Sequence, residues 1–154
     1  EIPEAVLRTS LIVGFPGESE TEFEELCGFL REFKLEKVGV FTFSPQEGTP
    51  AAAMNERPDP EVAARRAELI SYLQEDITEK RNAELTGKTI EVLVEGYDRY
   101  AEIWYGRSFA ESPEVDGKIF FYADKRAGLD GRFIRVKIES VEDGEPIGVL
   151  EESI

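Results

Sequence analysis

The chain has 154 residues and a formal net charge of −15, from 33 acidic and 18 basic side chains, with one cysteine and no histidine. The lack of histidine excludes histidine acid–base chemistry, triads and zinc sites, and the single Cys27 excludes an intrachain disulfide and an all-cysteine metal or cluster site. The negative charge disfavours a nucleic-acid-binding surface and is typical of plain solubility or of a basic partner.

The first predicted unit is a strand, a tight turn and a helix. A Leu-Ile-Val run closes a strand predicted at residues 7–13, and such a run is typical of a strand buried on both faces. Glycine and proline at residues 14–17 break the strand. Ser19 and Glu22 then have the spacing of a capping box, which predicts a helix over residues 20–33. The apolar positions of this helix include the cysteine, which is therefore predicted to be a core residue.

A second strand is predicted at residues 37–43, with Phe41 and Phe43 in the core. Strand, helix and strand over this length predict a βαβ unit with parallel strands and a right-handed crossover. The turn after the first strand then lies at the carboxyl edge, where ligands bind in parallel α/β folds. From the residues alone, a purely structural turn is an equal alternative. A long helix is predicted from Asp59-Pro60, as cap and first turn, to about residue 85.

After the glycine at position 87 the apolar period changes from helical to twofold, which predicts a small closed barrel of the OB type with antiparallel strands. The predicted inward side chains of the second of these strands are Ala101, Ile103 and Tyr105, and Trp104 is predicted on the other face. A turn is predicted at residues 96–98. The five predicted strands are residues 89–95, 100–106, 118–123, 132–140 and 147–151.

Several motifs resemble one known family when they are taken in series. G-F-P-G-E-S-E-T-E-F-E-E-L at residues 14–26, F-S-P-Q-E-G-T-P at 43–50 and R-R-A-E-L-I at 65–70 resemble the late part of a radical S-adenosylmethionine (SAM) domain. V-L-V-E-G at 92–96 and G-R-S at 106–108 resemble a TRAM domain. Together they are similar to the C-terminal half of the methylthiotransferases.

This resemblance implies an α/β part followed by an all-β part. Residues 1–86 would be the last βα units of a partial, TIM-like radical SAM barrel, and residues 87–154 a five-stranded antiparallel, OB-like TRAM barrel. The chain begins at Glu1 without an initiator methionine, so we expect it to be a piece of a longer protein.

The segment E-S-P-E-V-D-G at residues 111–117 resembles the branch that adds a methylthio group to an aspartate of ribosomal protein S12. Residues 88–154 carry 15 acidic and 9 basic side chains, which suits a basic protein better than tRNA. We therefore predict that this domain docks the basic substrate. The predicted contacts are Glu111, Glu114, Asp116, Trp104 and Arg107.

Two alternatives remain open at this point. One is the tRNA-modifying branch of the family, with an RNA-binding TRAM domain. The other is a non-catalytic OB-like binding module, in which Tyr97, Tyr100, Trp104 and Arg107 would stack on bases.

The resemblance implies two 4Fe–4S clusters and SAM in the complete enzyme. The family's C-x3-C-x2-C cluster motif is absent from this chain, so we predict that the chain binds no cluster or metal, has no catalytic residue and is inactive alone. Gly14, Phe15, Pro16 and Gly17 are the residues predicted to lie near the cofactor. Glu18 is assigned only to the start of the helix.

No apolar run approaches the roughly 20 residues that span a bilayer, so we expect a soluble, cytoplasmic protein without membrane contact. A barrel fragment of two βα units leaves a strand edge and apolar surface uncovered. Self-association through residues 7–43 is therefore expected, for which light scattering is the measurement.

Overall fold

The structure is a computed structural model that describes residues 5–151. The first four residues of the predicted first domain and the last three residues of the predicted second domain lie outside the described part. The chain divides into two compact units between Thr78 and Glu79, inside the long helix. Each unit is described by itself below.

The first unit contains the predicted βαβ arrangement. Strand β1 (Arg8–Val13) is followed by helix α1 (Glu20–Phe33) and strand β2 (Lys37–Thr42). The two strands pair in parallel along their whole length, from Arg8 opposite Lys37 to Val13 opposite Thr42. The predicted bounds of α1 and the parallel pairing are confirmed.

Helix α2 (Pro60–Ala83) begins where the sequence predicts and ends two residues earlier. The Asp59 carboxylate accepts a hydrogen bond from the Glu61 N–H at 2.8 Å, which satisfies one of the free donors of the first turn. A short 3-10 helix (Pro50–Ala53) precedes it, capped by the Thr49 hydroxyl.

The core of the first unit lies on one face of the β1–β2 pair. Its buried side chains come from β1, α1 and α2, and they are Val13, Phe23, Cys27, Leu30 and Ile70. Cys27 is a buried core residue, as predicted, and its burial raises the pKa of the thiol. The thiol therefore stays protonated at neutral pH and is a poor nucleophile.

The opposite face of the β1–β2 pair is exposed, and two predictions fail there. Ile12 is 56% exposed and Phe41 60% exposed, so β1 is not buried on both faces and Phe41 is not in the core. The reason is that α1 and α2 pack only on the face that carries Leu11, Val38 and Val40. Side chains alternate along a strand, so the residues between these point away from both helices. Self-association through this exposed face stays a prediction.

The second unit contains a closed five-stranded barrel. The strands are β3 (Thr89–Asp98), β4 (Ile103–Arg107), β5 (Ile119–Tyr122), β6 (Phe133–Glu142) and β7 (Glu145–Leu150). Going around the barrel, the order is β3-β4-β5-β7-β6. Its buried core comes from β3, β4, β5, β6 and the loop before β6, and consists of Val92, Val94, Trp104, Ile119, Phe121, Leu129, Val136 and Ile138.

The closed barrel is confirmed, but its strands are not all antiparallel. Strand β7 pairs with β6 in antiparallel and with β5 in parallel, Phe121 lying opposite Gly148. A ring with an odd number of strands cannot alternate direction at every step, so closure of five strands requires a parallel pair. The tight hairpin between β6 and β7 makes that pair antiparallel. The parallel pair is therefore formed on the other side of β7, with β5.

The predicted turn at residues 96–98 is wrong, and so is the predicted facing of Trp104. Strand β3 continues to Asp98 through a bulge between Val94 and Gly96, which shifts the alternation along the rest of the strand. Tyr97 consequently lies opposite Trp104. Trp104 shares the inward face of β4 with Gly106 and is 3% exposed. The chain reverses after Asp98, whose carboxylate accepts from the Tyr100 N–H at 2.8 Å.

In the part of the chain that the structure describes, no helix combines the length and the apolar character that crossing a membrane requires.

Candidate functional site

The turn after β1 is held against α2 by a glycine. Gly14 is buried and has a φ of +72°, and a β-carbon on it would overlap the Ala63 Cβ of α2. A side chain is therefore excluded at Gly14 both by the backbone conformation and by the close approach of the helix. That Gly14 lies near the cofactor stays a prediction; in this structure the group that approaches it closely is Ala63 of α2.

Gly17 has a different environment from Gly14. Its φ is +86°, and the space where a β-carbon would lie is open. Its N–H donates to the Glu56 carbonyl at 2.6 Å, which ties the turn to the segment before α2. Pro16 between them is buried. Two residues after Gly17, Ser19 caps α1, and the predicted capping box with Glu22 is present.

The backbone donors of this turn are already occupied by a side chain of the chain itself. One carboxylate oxygen of Glu18, Oε2, accepts from the Gly14 N–H at 2.6 Å and from the Phe15 N–H at 3.2 Å. Two N–H groups that converge on one point are a typical anion-binding arrangement. Here Glu18 fills that position, so the turn does not present these two donors to an external anion.

Arg66 of α2 holds the other oxygen of this carboxylate. Its Nη1 donates to Glu18 Oε1 at 2.8 Å and to the Glu18 carbonyl at 3.2 Å, and its Nη2 donates to Glu20 at 2.9 Å. Its guanidinium lies 5.1 Å above the centre of the Phe23 ring. Arg66 is only 6% exposed, so its charge depends on these partners.

The two carboxylates contribute differently to holding Arg66. The pKa of Arg66 is raised above its ordinary value, chiefly by the hydrogen bond to Glu20. Burial lowers this pKa, and the charges of both carboxylates raise it. The Glu20 side chain is 69% exposed and the Glu18 side chain 13%. Water screens the Glu20 pair, so Glu18 is the partner that compensates the buried charge.

The exposed part of the turn is aromatic. Phe15 is 40% exposed, and its ring meets the Phe43 ring edge-to-face with 5.1 Å between centroids. Phe43 follows β2, and its N–H donates to the Val13 carbonyl at 2.8 Å, so both rings lie at the carboxyl ends of the two parallel strands. Ile12 and Phe41 are opposite each other on the exposed sheet face leading to this edge. We call Ile12, Phe15, Phe41 and Phe43 the apolar edge.

The residues present fit the flat, uncharged part of SAM and do not fit an iron–sulfur cluster. The apolar edge offers ring faces, while the turn donors are taken by Glu18. Within residues 5–151, no three acidic, cysteine or histidine side chains are grouped as metal ligands, and the one cysteine is buried in the core. No chemical step is therefore assigned to a cluster in this chain.

The acidic loop of the barrel is ordered by its own carboxylates. Glu111 accepts from the Ser108 hydroxyl at 2.6 Å and from the Ser108 N–H at 2.8 Å. Asp116 accepts from the Ser112 N–H at 2.7 Å. Both side chains are half-buried, which makes them structural groups of this loop, whatever else they contact.

The other residues predicted to bind a partner are not equivalent. Glu114 is exposed and has a φ of +62°, so it stands at the turn of the loop. Arg107 is paired with Glu95 at 2.8 Å. Trp104 is buried in the barrel core and has no free ring face for a partner. Tyr100 is fully exposed in the β3–β4 turn.

Sequence reasoning missed Arg66 and the full role of Glu18. The buried positions of α2 include Ala63, Arg66 and Ile70, which continue one helical stripe, so an arginine stands where an apolar residue is expected. An arginine within this apolar stripe was the sequence feature that could have indicated a buried ion pair. Glu18 is close in sequence to the turn it binds, but only the fold brings α2 to it.

Comparison with known proteins agrees with the barrel and with the motifs. Residues 86–149 match the TRAM domain family, and this range covers nearly all of the five-stranded barrel.

Over 97% of its length the chain is similar to proteins named ribosomal protein uS12 methylthiotransferase RimO. The identity is 47% over 150 residues with the Clostridium botulinum protein, 44% over 149 residues with that of Clostridium perfringens and 41% over 150 residues with that of Clostridium acetobutylicum. The chain spans 33% of the length of each of these relatives. The resemblance to part of a methylthiotransferase of the RimO type is thereby confirmed.

Proposed function

We propose that the chain is the C-terminal part of a methylthiotransferase that modifies an aspartate of ribosomal protein S12. The observation that carries this proposal is the 47% identity to RimO across 97% of the chain, through both units. The complete enzyme would use two 4Fe–4S clusters and SAM, with the cluster ligands outside this chain, and would act in the cytoplasm.

The first unit would complete the radical SAM barrel, with residues 1–86 in that domain and 87–154 in the TRAM domain. The parallel β1–β2 pair and the helices on one of its faces support this, because a TIM-like barrel covers the outside of parallel strands with helices. The exposed face with Ile12 and Phe41 would then line the barrel interior. The turn after β1 would lie at the mouth, where such barrels bind ligands.

The four turn residues would then contribute to SAM binding by the shape of the surface they form, without charged groups. They are Gly14, Phe15, Pro16 and Gly17. In this family SAM supplies radical chemistry at an unactivated carbon and a methyl group. The chain's own residues would bind and orient it: Phe15, supported by Phe43, would present a ring face, and Gly17 would leave room for close approach. Gly14 and Pro16 would hold the turn in place.

The barrel would dock the basic protein substrate through its acidic surface. The acidic loop at residues 111–117 supports this, because Glu111 and Asp116 shape the loop and leave Glu114 exposed at its turn. Complementary charge mainly raises the association rate and orients the partners. The burial of Trp104 weighs against base stacking by this ring.

Replacement of Glu114 by lysine is expected to weaken binding of ribosomal protein S12 to the chain by about threefold at low salt, since exposed ion pairs contribute ~0–1 kcal/mol each. Glu114 is chosen because its reversal breaks none of the loop hydrogen bonds of Ser108 and Ser112. Calorimetry at low and high salt measures the effect, which should shrink as salt rises.

The matched control is Glu139→Lys, an exposed acidic residue of β6 outside the loop. It makes the same charge change and should have a smaller effect. Equal weakening by both variants would place the interface elsewhere. Tighter binding of a tRNA anticodon stem-loop than of the ribosomal protein would favour the tRNA-modifying branch.

The isolated chain is expected to remain inactive and to take up no cluster. Its one cysteine is buried, and a 4Fe–4S cluster needs several thiolate ligands. Anaerobic reconstitution with iron and sulfide, followed by iron analysis and visible absorbance, tests this. A stoichiometric four-iron cluster on the monomeric chain would contradict it.

A further inference from the structure

We propose that Arg66 and Glu18 are positioning residues that set the conformation of the turn after β1 and thereby the placement of Phe15. This inference rests on the proposed function, in which the turn contacts SAM. It assigns a role to two charged side chains that the sequence motifs do not connect, 48 residues apart. We call the two residues the clamp.

The contacts of the clamp run from α2 to the turn without a gap. Arg66 donates to Glu18 Oε1, and the other oxygen of the same carboxylate accepts from the Gly14 and Phe15 N–H groups. Ala63, one helical turn before Arg66, touches the turn at Gly14. Helix α2 therefore holds the turn at two points, one polar and one apolar, and its position determines where Phe15 lies.

Because both side chains are largely buried, removal of either Arg66 or Glu18 is expected to disturb the contact between α2 and the turn. Arg66 is 6% exposed and the Glu18 side chain 13% exposed, and the Nε of Arg66 has no hydrogen-bond partner in the described residues. Within the described residues, the hydrogen bonds of the guanidinium therefore come from its two terminal nitrogens. Loss of Arg66 leaves the Glu18 carboxylate without its cation, and loss of Glu18 leaves Arg66 with the solvent-exposed Glu20, so the placement of each residue depends on the other.

The clamp also determines what the turn can recognise. A glycine-rich turn before a helix usually offers its N–H groups to a phosphate or carboxylate. In this chain the Glu18 carboxylate takes that place, so the exposed Phe15 ring is left as the contact. The clamp thus makes the turn select a flat or apolar group, and it disfavours an anion.

Amide hydrogen exchange of the 154-residue chain, followed by NMR, tests the clamp without any ligand. Arg66→Met should speed exchange of the Gly14 and Phe15 N–H groups by about tenfold or more, because their acceptor is released. The matched control, Arg65→Met, removes an exposed arginine next to Arg66 on α2 and should leave both rates unchanged.

Two milder variants keep the test valid if Arg66→Met fails to fold. Glu18→Gln retains an acceptor oxygen but removes the charge, so the Gly14 amide proton should lose the downfield shift of a charge-assisted bond. Arg66→Lys keeps the charge without the two-pronged geometry and should give an intermediate result. Unchanged exchange and shifts in these variants would overturn the proposal.

Binding of SAM to the complete enzyme separates this inference from the proposed function. Phe15→Ala tests the function: if affinity is unchanged, the turn is not a cofactor site. If Phe15→Ala weakens binding about tenfold and Arg66→Lys or Glu18→Gln also weakens it severalfold, the clamp positions the turn for its ligand. If Phe15→Ala weakens binding and the clamp variants do not, the positioning role is wrong and the proposed function stands.

Discussion

Replacement of Gly106 by alanine is expected to destabilise the barrel by about 3 kcal/mol or more, because it forces a methyl group into a closed interior. Gly106 lies opposite Val94 and faces inward. A β-carbon there would overlap the Leu93 carbonyl oxygen and lie 2.7 Å from Val92 Cγ1. Urea denaturation followed by fluorescence measures the loss, since the single tryptophan is in this core.

A second variant and a control test whether inward packing causes this loss of stability. Gly148→Ala should behave like Gly106→Ala, because its β-carbon would overlap the Lys137 carbonyl oxygen and lie 2.8 Å from Val136 Cγ1. Gly128→Ala is the control: its φ is +58° but the space around it is open, so only the backbone cost of about 1–2 kcal/mol is expected. Equal loss at all three sites would show that inward packing is not the cause.

Replacement of Gly14 by alanine is expected to cost about 2–4 kcal/mol in the first unit, from a left-handed backbone position and the overlap with Ala63. The turn would move away from α2, which should also weaken the contact between Glu18 and Arg66. Thermal denaturation followed by the helical circular dichroism signal measures the loss. Amide spectra of the turn should change in the same variant.

The control for Gly14→Ala is Gly28→Ala in α1. Gly28 is exposed, has open space at its β-carbon position and lies in the middle of a helix. Alanine there should stabilise the chain by about 0.5–1 kcal/mol, the usual gain inside a helix. A gain, or no loss, at Gly14 would contradict the packing argument.

Local signals predicted the elements of this chain well. The capping box at Ser19 and Glu22 predicts the start of α1, and the Asp-Pro pair at position 59 predicts that of α2. These signals are reliable because a helix terminus is satisfied by side chains within a few residues of it. The change from a helical to a twofold period likewise predicts the barrel.

The errors arose where a distant partner decides the outcome. The bulge before Gly96 brings Tyr97 opposite Trp104, and the pairing of β4 with β3 decides which face of β4 is inward, which the alternating residues of β4 alone do not reveal. An isolated glycine in a strand indicates a bulge as readily as a turn, and only pairing with β4 distinguishes the two. That one pair of neighbouring strands must be parallel could have been predicted from the sequence, because a closed ring of five strands cannot be antiparallel at every step.

Residue patterns were enough to predict the helix termini, the parallel βαβ unit, the closed barrel and the resemblance to a methylthiotransferase, since each depends on neighbouring residues or on a continuous motif. The contact of Arg66 with Glu18 and the burial of Trp104 in the core became visible with the fold. Burial and charge compensation depend on groups far apart in the chain, and no local pattern records them. A buried arginine is tolerated on α2 because Glu18 and Glu20, 48 and 46 residues away in the chain, accept its hydrogen bonds.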